Sequence, residues 1–374
     1  MDYLVQAWQS VGMESVTGEA QHHARLSDMR WAGQRIDAIG PGTLPGLARL
    51  GNLVRSVRTP EFEGITLHEV LTKSALNHVP ATSAMLPGEW TINPYRGCTH
   101  ACAYCFARPT HEHLGLDLGA DFDNQLIVKV NLPDVLRREL ATKRTLPERV
   151  AFGTNTDPYQ RAEGRYQLMP PVIDALTGAR VSFSILTKGS MIRRDLDRLA
   201  AAAERVNVEL GMSIAFLDEE LRHTLEPGAP STAARLTTLR AMRDAGFTPT
   251  VFVAPILPHL TDSTDQIDTL IGTLASAGAG TILPTPLYLM RGVKELFFTW
   301  LRHTHQDLIP AYADLYSSGS RTPRPYQDLI RARVNRALRN HGLPLPDFTA
   351  SDRFALLGKR SIPAPPTPTT PTLF

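Results

Sequence analysis

The sequence predicts an α/β protein built as a partial, open (β/α)6 barrel of parallel strands. Three observations carry that reading. Six short β-branched runs recur between residues 90 and 284, each ending in a polar or proline-containing loop, as strands buried on both faces do. Helical patterns fall between them. The stretch is shorter than the roughly 250 residues of a closed eight-unit barrel, so six units fit it better.

Taken in order, strands are expected over 90–93, 150–153, 181–187, 206–214, 250–254 and 281–283, with a short extra one over 127–130. Helices are expected over 134–142, 168–176, 193–204, 232–245 and 263–277. The fourth is the best marked, because Ser231 offers an N-cap hydroxyl and Gly246 a C-terminal stop. Right-handed helical crossovers turn such a series into a parallel sheet, whose function belongs at the C-terminal ends of the strands.

Around this core, residues 1–64 read as a partly irregular N-terminal extension. It has a turn cluster over 40–46, then a mildly basic segment of Arg49, Arg55 and Arg58, and a strand and turn are expected over 62–70. The barrel core is assigned to 65–290 and a helical extension packing on it to 291–345. That extension holds an aromatic-rich helix from Gly292 to Leu301 and an arginine-bearing one from Pro325 to Asn340. Residues 346–374 form a Pro/Thr-rich tail expected to be disordered.

Composition is that of an ordinary globular protein, 43% hydrophobic and 20% charged over 374 residues. No apolar run approaches the roughly 18 residues of a membrane span, and the N-terminus lacks the basic and apolar regions of a secretory signal. A cytoplasmic protein without membrane contact is the expectation. A net charge of +2 argues against a general nucleic-acid binder and leaves room for a local basic patch. Arg331, Arg333, Arg336 and Arg339 read more readily as a solvated face than as such a patch.

The chemistry concentrates in Tyr95–Arg–Gly–Cys–Thr–His–Ala–Cys–Ala–Tyr–Cys–Phe106, directly after the first core strand. It contains all three cysteines of the chain, Cys98, Cys102 and Cys105, spaced C-x3-C-x2-C. Positions i, i+4 and i+7 would share one helix face, so burial against a core is one reading. Pro94, Gly97 and Pro109 favour a loop instead, and an odd cysteine count with tight clustering points to soft-metal ligation. Structural zinc would need a fourth ligand, for which His100, His111 and His113 are at hand. An iron–sulfur cubane held by three thiolates would keep one iron open to a substrate or cofactor. The zinc reading predicts a zinc-stabilised module that binds nucleic acid through the arginine-bearing helix.

Three further strand ends carry polar groups. Gly153-Thr154-Asn155-Thr156-Asp157-Pro158-Tyr159-Gln160 follows the second strand, Thr187-Lys188 the third, and Ser213 ends the fourth. Hydroxyl, amide and carboxylate oxygens can accept from an ammonium group, and a lysine can pair with a carboxylate.

The cysteine spacing, with Tyr104 and Phe106 flanking the last thiol, resembles the signature of the radical S-adenosylmethionine (SAM) superfamily. The strand-end motifs, with Glu163, Glu226-Pro227, Ala229-Pro230-Ser231, Ala254-Pro255-Ile256, Pro258 and the segment from Val293 to Leu301, resemble its branch related to spore photoproduct lyase. The resemblance covers about residues 65–340. It implies a [4Fe–4S] cluster on Cys98, Cys102 and Cys105, and SAM bound by Tyr104, Phe106, Thr154, Asn155, Thr156, Asp157, Lys188 and Ser213. Within that set Thr156 and Ser213 would hydrogen-bond to SAM, Lys188 would pair with its carboxylate, and Glu226 would order the loop after the fourth strand.

It further implies reductive cleavage of SAM to a 5′-deoxyadenosyl radical, fed by a one-electron donor such as flavodoxin or ferredoxin. A non-catalytic iron–sulfur protein is the alternative on the same cluster. Two departures stand out. The Gly-Gly-Glu that many members carry after the second strand is replaced by Thr154-Asn155-Thr156-Asp157. No spare thiol can serve as the hydrogen donor that some lyase members use, so the substrate stays open, with nucleic acid, protein side chains and small metabolites all candidates. Tyr104, Tyr159 and Tyr288 are the candidate radical relays.

Overall fold

A computed structural model of the chain describes residues 52–80, 90–346 and 358–359. The readings for residues 1–51, including the turn cluster and Arg49, lie outside these residues, as does most of the Pro/Thr-rich tail. Strands β1 (Leu53–Val57), β2 (Thr66–Val70), β3 (Asn77–His78), β4 (Trp90–Thr91), β5 (Tyr95–Arg96) and β6 (Gln125–Lys129) precede the main repeat. Strands β7 (Arg149–Phe152), β8 (Ser182–Thr187), β9 (Val208–Ser213), β10 (Thr250–Ile256) and β11 (Thr281–Pro286) follow, with β12 (Gly358–Lys359) in the tail.

The six expected core strands are present as β4 and β7 to β11, and neighbouring pairs among them are all parallel. The sheet runs β11-β10-β9-β8-β7-β4-β3, and its two end strands do not pair with each other. It is an open α/β sheet. Every residue of β9 is buried: the strand lies between β8 and β10, and its Val208, Leu210 and Met212 pack in the main core. The tail contributes β12, which adds antiparallel to Leu210 and Glu209 at the start of β9.

The helices are α1 (Ala120–Asn124), α2 (Leu132–Thr142), α3 (Arg161–Tyr166), α4 (Met169–Gly178), α5 (Leu196–Ala203), α6 (Glu219–Leu225) and α7 (Thr232–Asp244). Then come α8 (Thr264–Ser276), α9 (Val293–Thr304), α10 (Ile309–Leu315) and α11 (Arg324–Asn340). Ser231 caps α7 by accepting from the Ala234 amide, and Gly246 follows it in the left-handed conformation (φ +86°), as expected. A single helix over 193–204 does not form. A 3-10 turn, Ser190–Asp195, leads into α5, because Asp195 faces inward to accept from Tyr159 Oη and Arg194 rather than continuing an α-helical surface.

A second sheet, unforeseen from the sequence, runs β1-β2-β6-β5. Its β1–β2 hairpin crosses residues 64 and 65, where the sequence reading divides the chain. The strand expected over 127–130 is β6, which pairs parallel with β2 and antiparallel with β5. This sheet matters to function because β5 ends one residue before Gly97, so it anchors the entry to the cysteine loop.

Candidate metal centre

Gly97 lets the chain turn out of β5 into the cysteine loop. It sits at φ +81°, and a Cβ there would meet Leu126 and the Phe122 carbonyl at 2.9 Å. Cys98 and Cys102 are buried and Cys105 is half-buried; all three are free thiols. Burial raises the pKa of each, and in Cys98 the neighbouring Asp157, Cys102 and Cys105 raise it further. The thiols thus lie within electrostatic reach of one another at the C-terminal end of the first core strand.

Three clamps hold the loop. On one side Gln160, fully buried, donates from Nε2 to the Gly97 carbonyl (3.1 Å) and to Thr156 Oγ1 (2.9 Å), and its Oε1 accepts from the Thr99 amide at 2.9 Å. Thr156 Oγ1 itself donates to the Gly97 carbonyl at 2.7 Å. On another side buried Arg108 donates from Nε to the Cys102 carbonyl (2.9 Å) and grips Asp123 with Nη2 at 2.9 and 3.0 Å. From above, the segment after α6 lies against the loop: the Gly228 amide donates to the His100 carbonyl and the Ala103 amide to the Leu225 carbonyl. The approach is so close that a Cβ on Gly228 would lie 1.8 Å from the Thr99 carbonyl oxygen.

Asp157 ties the loop to the next two strands. Its Oδ1 accepts from the Tyr159 amide (2.8 Å) and Thr187 Oγ1 (2.5 Å), and its Oδ2 from the Lys188 amide (2.6 Å), with His100 Nε2 at 3.1 Å. Burial alone would raise this carboxyl; His100, the Thr187 hydroxyl and the Lys188 amide together hold it below its ordinary value. Its oxygens are therefore occupied by the protein itself.

Beside Cys102 stands a buried charge cluster. Glu226 accepts from the Tyr104 phenol and from Arg235 Nη2, and Lys188 Nζ lies 3.2 Å from its Oε1. Lys188 Nζ also donates to Ser213 Oγ at 2.7 Å, and Arg235 Nη1 donates to the Ser213 carbonyl at 3.2 Å. Burial opposes the charge on Glu226, but Lys188 and Arg235 override it and hold the carboxyl down to about 2. Two cations thus face one carboxylate next to Cys102, while the ionised Asp157 acts on Cys98.

The structure thus joins Cys98, Cys102, Cys105, Tyr104, Thr156, Asp157, Lys188 and Ser213 in one connected site. Phe106 is half-buried against Cys98, Ala107 and Phe122. Thr154 and Asn155 sit further out: Thr154 Oγ1 is 3.5 Å from Asn93 Oδ1, and Asn155 is exposed. Tyr159 packs in the main core with its hydroxyl on Asp195, and Tyr288 lies under the Arg321 guanidinium. Glu163 is an internal anchor that accepts from Tyr95, Arg194 and the Leu168 and Met169 amides.

Sequence reasoning did not select Gln160, Arg108, Arg235 or Gly228. Gln160 lies in a loop already singled out; the others gave no local signal, since each acts on a segment distant in sequence.

The histidines do not complete a zinc site. His100 turns Nδ1 to the Gly228 carbonyl and Nε2 to Asp157, His111 turns Nε2 to the Gln125 carbonyl, and His113 is exposed. Among the described residues no three Cys, His, Asp or Glu side chains converge closely enough to grip one ion. A cubane asks something different of its thiols, since each binds a separate iron, and Lys188 and Arg235 near Cys102 supply positive charge for a net anionic cluster. On donor chemistry and electrostatics, the residues fit such a cluster.

Residues 92–271 match the family model of the Radical SAM superfamily. The chain belongs to that superfamily. An uncharacterized protein of Mycobacterium tuberculosis is 50% identical over 310 residues, covering 82% of this chain and 91% of the relative. A more distant relative, an uncharacterized protein of Methanocaldococcus jannaschii, is 27% identical over 184 residues, or 49% of this chain and 66% of its own. Spore photoproduct lyase complexed with dinucleoside spore photoproduct superposes with a TM-score of 0.56 at 16% identity, over 83% of this chain and 86% of that one. A double mutant of that lyase with bound AdoMet and the same dinucleoside gives 0.51 at 17%, over 67% and 74%. At these identities the likeness establishes a shared fold: the open parallel sheet is the radical SAM core. No helix among the described residues is long and apolar enough to cross a membrane.

Proposed function

We propose that this radical SAM protein is an enzyme that holds a [4Fe–4S] cluster on Cys98, Cys102 and Cys105 and binds SAM across the ends of β7, β8 and β9. The observation that carries the reading is the placement of the chain's only thiols: three of them, two buried and one half-buried, in one clamped loop beside the strand ends of an open parallel sheet. When bound, cluster and cofactor would supply a 5′-deoxyadenosyl radical after one-electron reduction.

The chain's own groups supply position and shielding. Gln160, Thr156 and Arg108 fix the backbone on either side of the thiols. Asp157 aligns the end of β7 with Lys188 at the end of β8. The Lys188 ammonium and Ser213 hydroxyl form a pair suited to a carboxylate. Phe216, Leu257, Leu287, Leu289, Phe297 and Tyr312 pack over the strand ends and exclude water. The substrate class favoured is nucleic acid, supported by the dinucleoside spore photoproduct held by a lyase of the same fold. The electron would come from a flavodoxin- or ferredoxin-type donor, in the cytoplasm, where thiols stay reduced.

The test is anaerobic reconstitution with iron and sulfide, reduction with dithionite, and chromatography for 5′-deoxyadenosine after adding SAM. A brown protein that releases 5′-deoxyadenosine is expected. An intact cluster with no product would overturn the enzyme reading, and a colourless protein carrying zinc would overturn the cluster itself.

A further inference from the structure

The buried charges around Glu226 go beyond what binding a carboxylate requires. Lys188 and Ser213 alone could form such a site. Yet the chain also buries Glu226 and Arg235, with side chains at most 1% exposed, and aims the Tyr104 phenol at the same carboxylate. Three separate segments meet at this one group: the cysteine loop through Tyr104, the end of β8 through Lys188, and α7 through Arg235. Burying ions in this way is costly unless each is paired, and removing one partner leaves an uncompensated charge.

The position of the group is as telling as its partners. Tyr104 lies between Cys102 and Cys105 in the sequence, and the α6 C-terminus, one residue before Glu226, is bonded to Ala103. Charges this close, in surroundings of low polarity, act strongly on any redox group held by those thiols.

We propose that Glu226 is a positioning residue that locks the cysteine loop to Lys188 and, as the carboxylate beside Cys102, sets the reduction potential of the cluster against the two cations. The inference rests on the cluster reading above. A carboxylate near the cluster disfavours the added electron, whereas Lys188 and Arg235 favour it. Glu226 therefore keeps the potential low, and the two cations limit how low it falls.

The test is the midpoint potential of the reconstituted protein without SAM, followed by the EPR signal of the reduced cluster, in wild type and three variants. Glu226→Gln is expected to raise the potential and Lys188→Met to lower it. Glu226→Asp, which keeps the charge, is expected to return the potential towards wild type. Folding is checked by circular dichroism, and the opposite signs of the first two shifts separate an electrostatic role from a general loosening of the loop. A wild-type chain that takes up no cluster overturns the function proposed above and this inference with it. A wild-type chain that does, with variants that fold but leave the potential unmoved or shift it in the same direction, overturns this inference alone.

Discussion

Gly228 and Gln160 show how single residues hold the metal loop without touching a metal. In Gly228→Ala the new methyl would sit 1.8 Å from the Thr99 carbonyl oxygen, so the backbone must move. We expect a loss of about 2–3 kcal/mol in thermal unfolding of the metal-free protein, and iron uptake reduced well beyond that of a surface substitution. Gln160→Leu would leave the buried Thr99 amide without its acceptor and remove one of the two donors to the Gly97 carbonyl. Its expected cost is about 2–4 kcal/mol by denaturant unfolding. Glu226 adds a pH dependence. Its folded carboxyl lies near 2 against an ordinary 4.5, so its contribution is complete above about pH 4.5 and is lost as pH falls towards 2. The melting-temperature gap between wild type and Glu226→Gln should therefore narrow on acidification through that window. His111 acts in the same direction: burial holds it down to about 4, so the unfolded chain takes up its proton first and stability falls below about pH 6.5. These residues also mark the limit of reading one chain segment at a time. Cys98, Cys102 and Cys105 are legible because ligation needs them close in sequence, whereas Arg235 acts on Ser213 and Glu226 from a different element.

At the scale of elements, the six core strands follow the sequence because short apolar runs ending in polar or proline-containing loops mark them, and β9 is buried along its whole length. The second sheet was hidden, since β5 has two residues and carries no periodic signal of its own. Helix α11 illustrates both outcomes. Its apolar stripe of Ile330, Val334, Ala337 and Leu338 is buried against the core, as a 3.6-residue period requires. Two of its arginines are used internally: Arg331 pairs with Asp328 and Arg333 donates to the Asp262 carbonyl. Arg336 and Arg339 are exposed. Leu338→Ala should cost about 2–5 kcal/mol, measured by denaturant unfolding. Arg336→Ala combined with Arg339→Ala should change stability by less than about 0.5 kcal/mol each. If the exposed arginines serve only solvation, the double variant will also leave nucleic-acid binding at low salt unaltered.

For the molecule as a whole, the apolar cluster that includes Leu287, Phe297, Tyr312 and Tyr316 packs against Ala103 and Tyr104 of the cysteine loop. Replacing any one of Cys98, Cys102 and Cys105 by alanine should abolish the visible absorption of the reconstituted protein while leaving the far-ultraviolet circular dichroism of the apo chain close to wild type. That separation is expected because Cys98 and Cys105 pack in a small cluster with Phe106, Ala107 and Phe122, and none of the three thiols belongs to the main core. The sequence by itself determined the parallel α/β class, the cysteine signature and the polar strand ends, since strand period, ligand spacing and turn chemistry are all local. Only the tertiary structure decided that Asp157 is consumed by internal donors, that the histidines face away from a shared ion, and that Glu226, Lys188 and Arg235 meet beside Cys102. Those facts depend on contacts between segments far apart along the chain, where Coulomb energy and packing act through space and leave no periodic trace in the order of residues.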